Sequence, residues 1–426
     1  MWTDKYILVV NSGSSSLKAG IFSDQHALRG DGARKPEEEC KAIASLLVSW
    51  QPDNLNHIVK VKQRSQETSH TYSGPREEAT RAILKEFTIA VCGTNQPEAI
   101  AHRIVHGGTK YHDPMMITRQ VKEDIAALAE FAPLHNPISL KAIEACEDVF
   151  KGTFQIAFFD TSFHRTMTAT ACTYGLPFEL SEKYQIFRYG FHGLNVAYCL
   201  ERQAAIATGK HTKLRRTIVC HLGAGCSVTA CLDGRSVDTS MGFTPLEGLL
   251  MATRTGDIDA SAVLYLMRNE RLSIDASEEL LNKKCGLLGI SGKTADMREL
   301  LSLAAADDER AKLAVSVFIH KLTKTIAAMT ASLGGLDSLI FTGGIGENSS
   351  EIRAATVERL RYLGLTLSHN LNEAKYSDTG TGNTGTGDRR ISTPRSRAQV
   401  LVIAANEEAF MAKVLNYKYL QKQAKA

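Results

Sequence analysis

The sequence predicts an α/β protein of two domains, and three observations carry that reading. Short β-branched runs alternate with longer stretches of helical periodicity, the pattern of sheets covered by helices. Two segments, residues 6–22 and 217–232, repeat one plan of apolar strand, small-residue turn and second strand, as a duplicated unit would. The length of 426 residues is enough for two or three domains at roughly 100 to 200 residues each.

Taken in chain order, residues 6–10 read as an apolar strand, the NSGSSS run at 11–16 as a turn and residues 17–22 as the returning strand. In AHRIVHGG, His102 and His106 are four apart, but the strand-like run into Gly107 and Gly108 argues for core or turn packing over a helical metal pair. Arg103 and Val105 alternate with them and share the opposite face, a cation beside apolar surface that suits a small organic anion. Asp160 closes the apolar run of AFFDTSFH as a strand-end carboxylate; catalysis and capping of the following helix are equally open to it. The second hairpin spans residues 217–222 and 228–232 around Gly223, Ala224, Gly225, Cys226 and Ser227. Leu313, Val317, Leu322, Ile326 and Leu333 recur at helical spacing after Asp307 and Asp308, and Gly334 and Gly335 stop that helix. A strand, DSLIFT, follows at 337–342, then a Gly-rich turn at 343–348, then a helix for which Asn348 or Ser349 is the cap.

Composition excludes several classes. With 43% hydrophobic and 23% charged residues the chain is neither disordered nor fibrous. Fifty Lys and Arg against 46 Asp and Glu leave +4, too little for phosphate-backbone binding, so nucleic acid is not an expected partner. The nine cysteines (Cys40, Cys92, Cys146, Cys172, Cys199, Cys220, Cys226, Cys231, Cys285) form no C-x-x-C pair and read as reduced core thiols. The five-residue apolar run after Lys5 is too short for a signal peptide, and 18 apolar residues nowhere run together. The expectation is a cytoplasmic protein without a membrane span.

Two nucleotide-motif matches fail their context. Gly380, Gly382 and Gly385 satisfy G-x-G-x-x-G inside the polar tract 379–387, read as a surface loop, with no strand before it or helix after it. GLLGISGKT at 286–294 has the wrong spacing for a P-loop. What remains is three small-residue turns, at 11–16, 223–227 and 343–348. Any one alone is ordinary; together, with Lys18 just past the first, they point to a polyphosphate held by backbone amides between two domains. His192 in RYGFHG and Arg254 in MATRTGDID complete the candidates, though a solvated surface charge is the commoner fate of an Arg.

The motifs NSGSSSLK, HRIVHGG, PLHNP, FDTSFH, RYGFHG, VDTSMGFTPLEG, FTGGIGEN and NEE, in this order from residue 11 to residue 408, resemble the acetate kinase family. That family belongs to the acetate and sugar kinase, heat-shock chaperone and actin superfamily. The resemblance therefore implies two actin-like, ribonuclease H-like domains from a duplicated motif, with an active-site cleft between them. It implies an N-terminal domain of residues 1–164 completed by 408–426, and a nucleotide-binding domain of residues 165–407. The implied reaction is reversible, direct in-line phosphoryl transfer from ATP to acetate, giving acetyl phosphate and ADP. Propionate kinase is the nearest rival, and an actin-like or chaperone-like ATPase the rival of another class.

By the same resemblance Asp160 is the catalytic carboxylate, Arg103 binds the substrate carboxylate or transferring phosphoryl group, and His192 and Arg254 stabilise the transition state. Two arginines and a histidine are what charge spread over equatorial oxygens calls for. Val105, Leu134, Phe191 and Pro245 match the pocket around the substrate methyl. The nucleotide falls to Lys18, to His221, Leu222, Gly223, Ala224 and Gly225, to Asp296, Met297 and Arg298, and to Gly344, Ile345, Gly346, Glu347 and Asn348. Asn11 and Glu407 serve Mg2+, with Mn2+ as a substitute, and the implied assembly is a homodimer. The chain departs from the family pattern at three places. Ala224 stands for an Asn in the second hairpin turn, Leu194, Asn195 and Val196 for Thr-Ser-His after RYGFHG, and Ala405 for a Thr before NEE.

Overall fold

The computed structural model describes residues 6–23, 42–51, 53–63, 66–133, 135–206, 214–374 and 388–416. Leu134, Cys40 and the tract at 379–387 lie outside the described residues. The chain divides into two compact units, Met1–Ser162 with Asn406–Ala426, and Phe163–Ala405. Both junctions fall two residues before the expected ones, at 162 and 405 instead of 164 and 407, which places Glu407 in the first unit. The local reason is Asn406, whose side chain accepts from Ala409 N at 3.1 Å and caps a helix, Glu407–Leu415, that packs on the first unit's sheet.

The first unit is built on an eight-stranded sheet. Its strands are β1 (Tyr6–Ser12), β2 (Ser16–Ser23), β3 (Ala42–Ser49), β4 (Asn56–Gln63), β5 (Gln66–Ser73), β6 (Ala99–Ile104), β7 (Met115–Met116) and β8 (Phe154–Phe159). Their spatial order is β5-β4-β3-β2-β1-β6-β8-β7. Ile7, Leu8, Val9 and Val10 are all buried, the continuous apolar run of a strand covered on both faces, whereas β3 alternates and β5 is almost wholly exposed. Helices Arg76–Cys92 and Asn136–Val149 cover one face with Ile83, Leu84, Phe87, Ala142 and Cys146, against Leu8, Val10, Leu17, Ile21 and Leu46.

The second unit repeats the plan with β9 (Arg216–Leu222), β10 (Cys226–Leu232), β11 (Arg235–Thr239), β12 (Ser338–Thr342), β13 (Arg389–Arg390) and β14 (Gln399–Val402). The order β11-β10-β9-β12-β14-β13 matches β3-β2-β1-β6-β8-β7 strand for strand. The directions match too: antiparallel across β3-β2-β1 and β11-β10-β9, parallel from the hairpin through β8 and β14, then an antiparallel edge. Both expected hairpins are present, and the first unit differs by its added ribbon β4-β5. This is a duplicated actin-like domain.

Helix Glu309–Leu333 forms where its periodicity predicts it, capped by Asp308 and ended by Gly334 in the left-handed conformation. Leu313 is not part of its buried stripe; it is 54% exposed, because Ala314, Val315, Phe318, Ile319 and Leu322 carry the face against the sheet. The segment read as a turn at 343–348 is a short helix, Gly343–Asn348, followed by the Ser349-capped helix Ser350–Arg359. Gly343 makes the bend with φ +78°, and a Cβ there would lie 2.8 Å from the Leu222 carbonyl oxygen. Gly343→Ala is therefore expected to cost about 1–3 kcal/mol through strain and displacement of β9, read as a lower urea midpoint. An unchanged midpoint would show that the backbone here yields freely.

Candidate active site

In the first unit the parallel pairing of β6 and β8 sets Arg103 one residue before the end of β6 and Asp160 just past the end of β8, where Asp160 N donates to Ile104 O at 2.9 Å. Asp160 is 1% exposed and grips the guanidinium by two nitrogens: Arg103 Nε to Oδ1 at 3.0 Å and Nη2 to Oδ2 at 2.5 Å. Arg103 Nη1 donates to Asn11 Oδ1 at 3.1 Å, and Nε lies 3.2 Å from Glu407 Oε2. Asn11 Nδ2 donates to both Glu407 and Glu408, at 3.4 Å each. One N–H on each terminal nitrogen of Arg103 is left over from these bonds to meet an anion.

Burial pushes the Asp160 carboxyl up to about 6, against the pull of the Arg103 guanidinium. Burial also works against the Arg103 charge, but the Asp160 and Glu407 carboxylates outweigh it and hold the arginine protonated. Asp160, Glu407 and Glu408 face a single guanidinium, so negative charge is in surplus. Three predicted motifs meet nearby: the Asn136 amide bonds both the N–H and the carbonyl of His106, and Thr161 Oγ1 accepts from Gly107 N. His102 is buried on Gln155 at 2.6 Å, as its packing role requires; burial pushes its pKa down to about 4.

The second unit gathers His192, His221, Arg254 and the 223–225 turn. His192 adopts φ +59° and lays its ring on that of His221, with centroids 4.1 Å apart and planes 19° from parallel. His192 Nδ1 shares a hydrogen bond with Ser227 Oγ at 3.0 Å. Just before it, the Phe191 carbonyl is held by His164 Nε2 at 3.0 Å; burial pushes the His164 pKa down to about 4, which keeps this anchor neutral. A Cβ on Gly225 would lie 3.4 Å from both His192 Nε2 and Arg254 Nη1, so the bare turn brings backbone against both. Arg254 is not a solvated charge: its Nη1 donates to Pro245 O at 3.1 Å, and no carboxylate pairs with it among the described residues. Burial lowers its pKa, so its charge is desolvated without being neutralised.

A groove of about 1060 Å3 in this unit is lined by Gly223, Ala224, Asp296, Met297, Arg298, Gly344, Ile345 and Asn348, which brings most of the expected nucleotide residues together. Others take different places. The Leu222 side chain is fully buried in the core. Gly346 is buried and its carbonyl accepts from Arg353, while the Glu347 carboxylate accepts from Gly343 N and Ala405 N at 2.9 Å each. None of these three lines the groove. Lys18 belongs to the first unit, exposed on β2, where it lines a cavity of about 320 Å3 with Asn406 and Glu408. Val105 and Phe191 are buried and Pro245 is half-buried.

Sequence reasoning missed Glu408, Ser227, His164 and Asn195, and also Arg188, Glu247 and Tyr174. Arg188 Nη2 meets Glu247 Oε1 at 2.5 Å, Nη1 donates to Thr239 O at 3.0 Å, and Tyr174 donates to Glu247, tying down the segment that carries Pro245. Motifs mark the groups that meet the ligand in such a site; partners supplied from far along the chain leave no local signal.

Residues 6–413 match the sequence model described as the acetokinase family. An acetate kinase of Protochlamydia amoebophila is 41% identical over 414 residues, covering 96% of this chain and 98% of the relative. One of Desulfitobacterium hafniense is 44% identical over 406 residues, covering 95% and 97%. Among solved structures, a propionate kinase of Francisella tularensis superposes with TM-score 0.84 at 36% identity, and the Porphyromonas gingivalis acetate kinase with 0.81 at 32%, each covering 96% of this chain and 98% of its own.

The raised Asp160 pKa has a signed consequence for stability. A carboxyl at about 6 in the folded chain and near 3.8 in the unfolded one binds protons more tightly when folded. Its contribution is complete below the unfolded value and is lost as pH rises through about 6. In urea titrations across this range the difference between the unaltered chain and Asp160→Asn should shrink with rising pH; a difference that is flat or grows would contradict the assignment.

Proposed function

Because the chain belongs to the acetokinase family, we propose that it works as an acetate kinase, moving a phosphoryl group reversibly between ATP and acetate to give acetyl phosphate and ADP. The observation that carries this reading is Arg254, a half-buried guanidinium with no carboxylate partner among the described residues, beside His192 at the bare Gly225 turn. Such a group is poised for the charge that develops on a transferring phosphoryl group.

Acetate is already ionised at pH 7, so Asp160 has no proton to remove; its task is to fix the Arg103 fork, whose remaining N–H groups bind the carboxylate or the phosphoryl oxygens. The family resemblance assigns the methyl group to Val105, Leu134, Phe191 and Pro245. The groove lined by Gly223, Ala224, Asp296, Met297, Arg298, Gly344, Ile345 and Asn348 takes the nucleotide, and the family resemblance assigns Gly225, His221 and Lys18 to nucleotide binding as well. His192 and Arg254 stabilise charge in an in-line transfer.

The surplus of carboxylates around Arg103 fits a divalent cation. Asn11 and Glu407, one amide and one carboxylate, are the sparse set of protein oxygens that a hydrated hard ion takes, as Mg2+ prefers and Mn2+ tolerates; among the described residues no group of three or more His, Cys, Asp or Glu forms a metal cage. When bound, that ion lends positive charge to the phosphoryl oxygens.

We also assign a cytoplasmic location and a homodimer. The described cysteines are all free, and no described helix is long and apolar enough to cross a membrane. Helix Ala260–Asn269 buries none of its residues and exposes Leu264 at 59% and Tyr265 at 64%, an apolar face suited to a second copy. Sedimentation velocity should show a dimer that Leu264→Glu with Tyr265→Glu converts to monomer; a monomeric unaltered chain would refute this face.

Hydroxylamine trapping of acyl phosphate, with Mg2+, ATP and either acetate or propionate, tests the reaction. Asp160→Ala and Arg254→Ala should each lose about 100-fold or more in kcat. One methylene is worth about 1–3 kcal/mol, so acetate should lead propionate by roughly 10–200-fold. Product from propionate alone would move the assignment to the longer acid, and product from neither would end the acyl kinase reading.

A further inference from the structure

Asn195 is fully buried in helix Gly193–Ile206, one of the places where the chain departs from the family pattern. Its Nδ2 lies 2.8 Å from His221 Nδ1 and donates to Thr342 Oγ1 at 3.3 Å, so one amide bridges the register pair His221 and Thr342 of strands β9 and β12. An amide nitrogen only donates, so the ring nitrogen that faces it carries the lone pair. The bond made at one imidazole nitrogen decides where the proton sits on the other. The far side of the ring looks toward the groove. A Cβ on Gly223, which lines the groove, would lie 3.8 Å from His221 Nε2. The neighbouring Ala224 has no polar side chain to offer, and the stack on His192 fixes the ring plane.

We propose that Asn195 is a positioning residue that locks His221 in the tautomer protonated at Nε2, so that the ring presents a hydrogen-bond donor to a nucleotide phosphate in the groove. The second half rests on the nucleotide assignment above; the tautomer itself does not. Asn195 Oδ1 has no partner among the described residues, so the direction of this amide is the whole content of the lock. The reversed amide would place an acceptor on Nδ1 and select the opposite tautomer.

Long-range proton–nitrogen spectra of the full chain, uniformly labelled and with His221 assigned by its loss in His221→Gln, read the tautomer directly. The expected pattern is a bare Nδ1 and a protonated Nε2; the reverse pattern, or an averaged one, overturns the lock. Asn195→Asp, nearly the same shape without the donor, should move the proton to Nδ1. It should also raise the KM for ATP about tenfold, with the KM for acetate within about twofold. An unmoved proton refutes the positioning role, and a moved proton with unchanged KM for ATP refutes the link to the phosphate. Should the variant not fold, the spectrum of the unaltered chain still decides. Loss of the acetate kinase reading would show instead as no product from the unaltered chain, whatever the tautomer.

Discussion

The buried fork between Arg103 and Asp160 sets the terms for the whole first unit. Two charges withdrawn from water gain little by their attraction alone, and the desolvation of such a pair commonly cancels it. What the arrangement secures is direction. The guanidinium has a fixed plane because Asp160 takes two of its nitrogens and Asn11 a third, and because β6 and β8 run in register to their ends. A one-residue slip between those strands would turn Asp160 to the other face and undo the geometry. Removing one partner strands a charge in a dry place, which typically costs 3–5 kcal/mol.

The second unit treats its arginine in the opposite manner. Arg254 rests on a backbone carbonyl and keeps its full charge, where Arg103 is surrounded by carboxylates. The contrast divides labour: Arg103 is an oriented fork with a little spare capacity, and Arg254 is a charge awaiting compensation. The chain supports Arg254 indirectly, through the Pro245 carbonyl and the Arg188, Glu247 and Tyr174 cluster behind it. Gly242 belongs to that cluster, since any side chain there would collide with Glu247 and Tyr174.

Much of this was legible in the sequence, for identifiable reasons. The hairpins, the strand-end position of Asp160 and helix Glu309–Leu333 each follow from local periodicity and caps. The repeated plan around residues 11–16 and 223–227 announced the duplication that the strand orders display. Illegible were features set by distant groups. Leu313 matches the helical period yet faces water, because two other residues of its turn face the sheet. The segment at 343–348 coils into a helix whose last carbonyls, those of Gly346 and Glu347, are taken up by the distant Arg353. Family motifs indicate Glu347 and Leu222, while only geometry shows that one ties backbone and the other fills the core.

The division of the chain has a consequence for its birth. Residues 163–405 are one uninterrupted insertion in the first unit, which is closed by the helix that begins at Glu407. During synthesis at about 5–20 residues per second, Glu407 emerges roughly 12–50 s after Asp160 and Arg103. Through that interval the second unit has all of its strands in reach before the first has its last helix. The nascent first sheet meanwhile exposes the surface that this helix will cover, and the Arg103 cluster lacks two of its carboxylates. Order of assembly is thus written into the topology: the unit that starts first finishes last, and its charge centre is completed only after every strand of the second unit has been made.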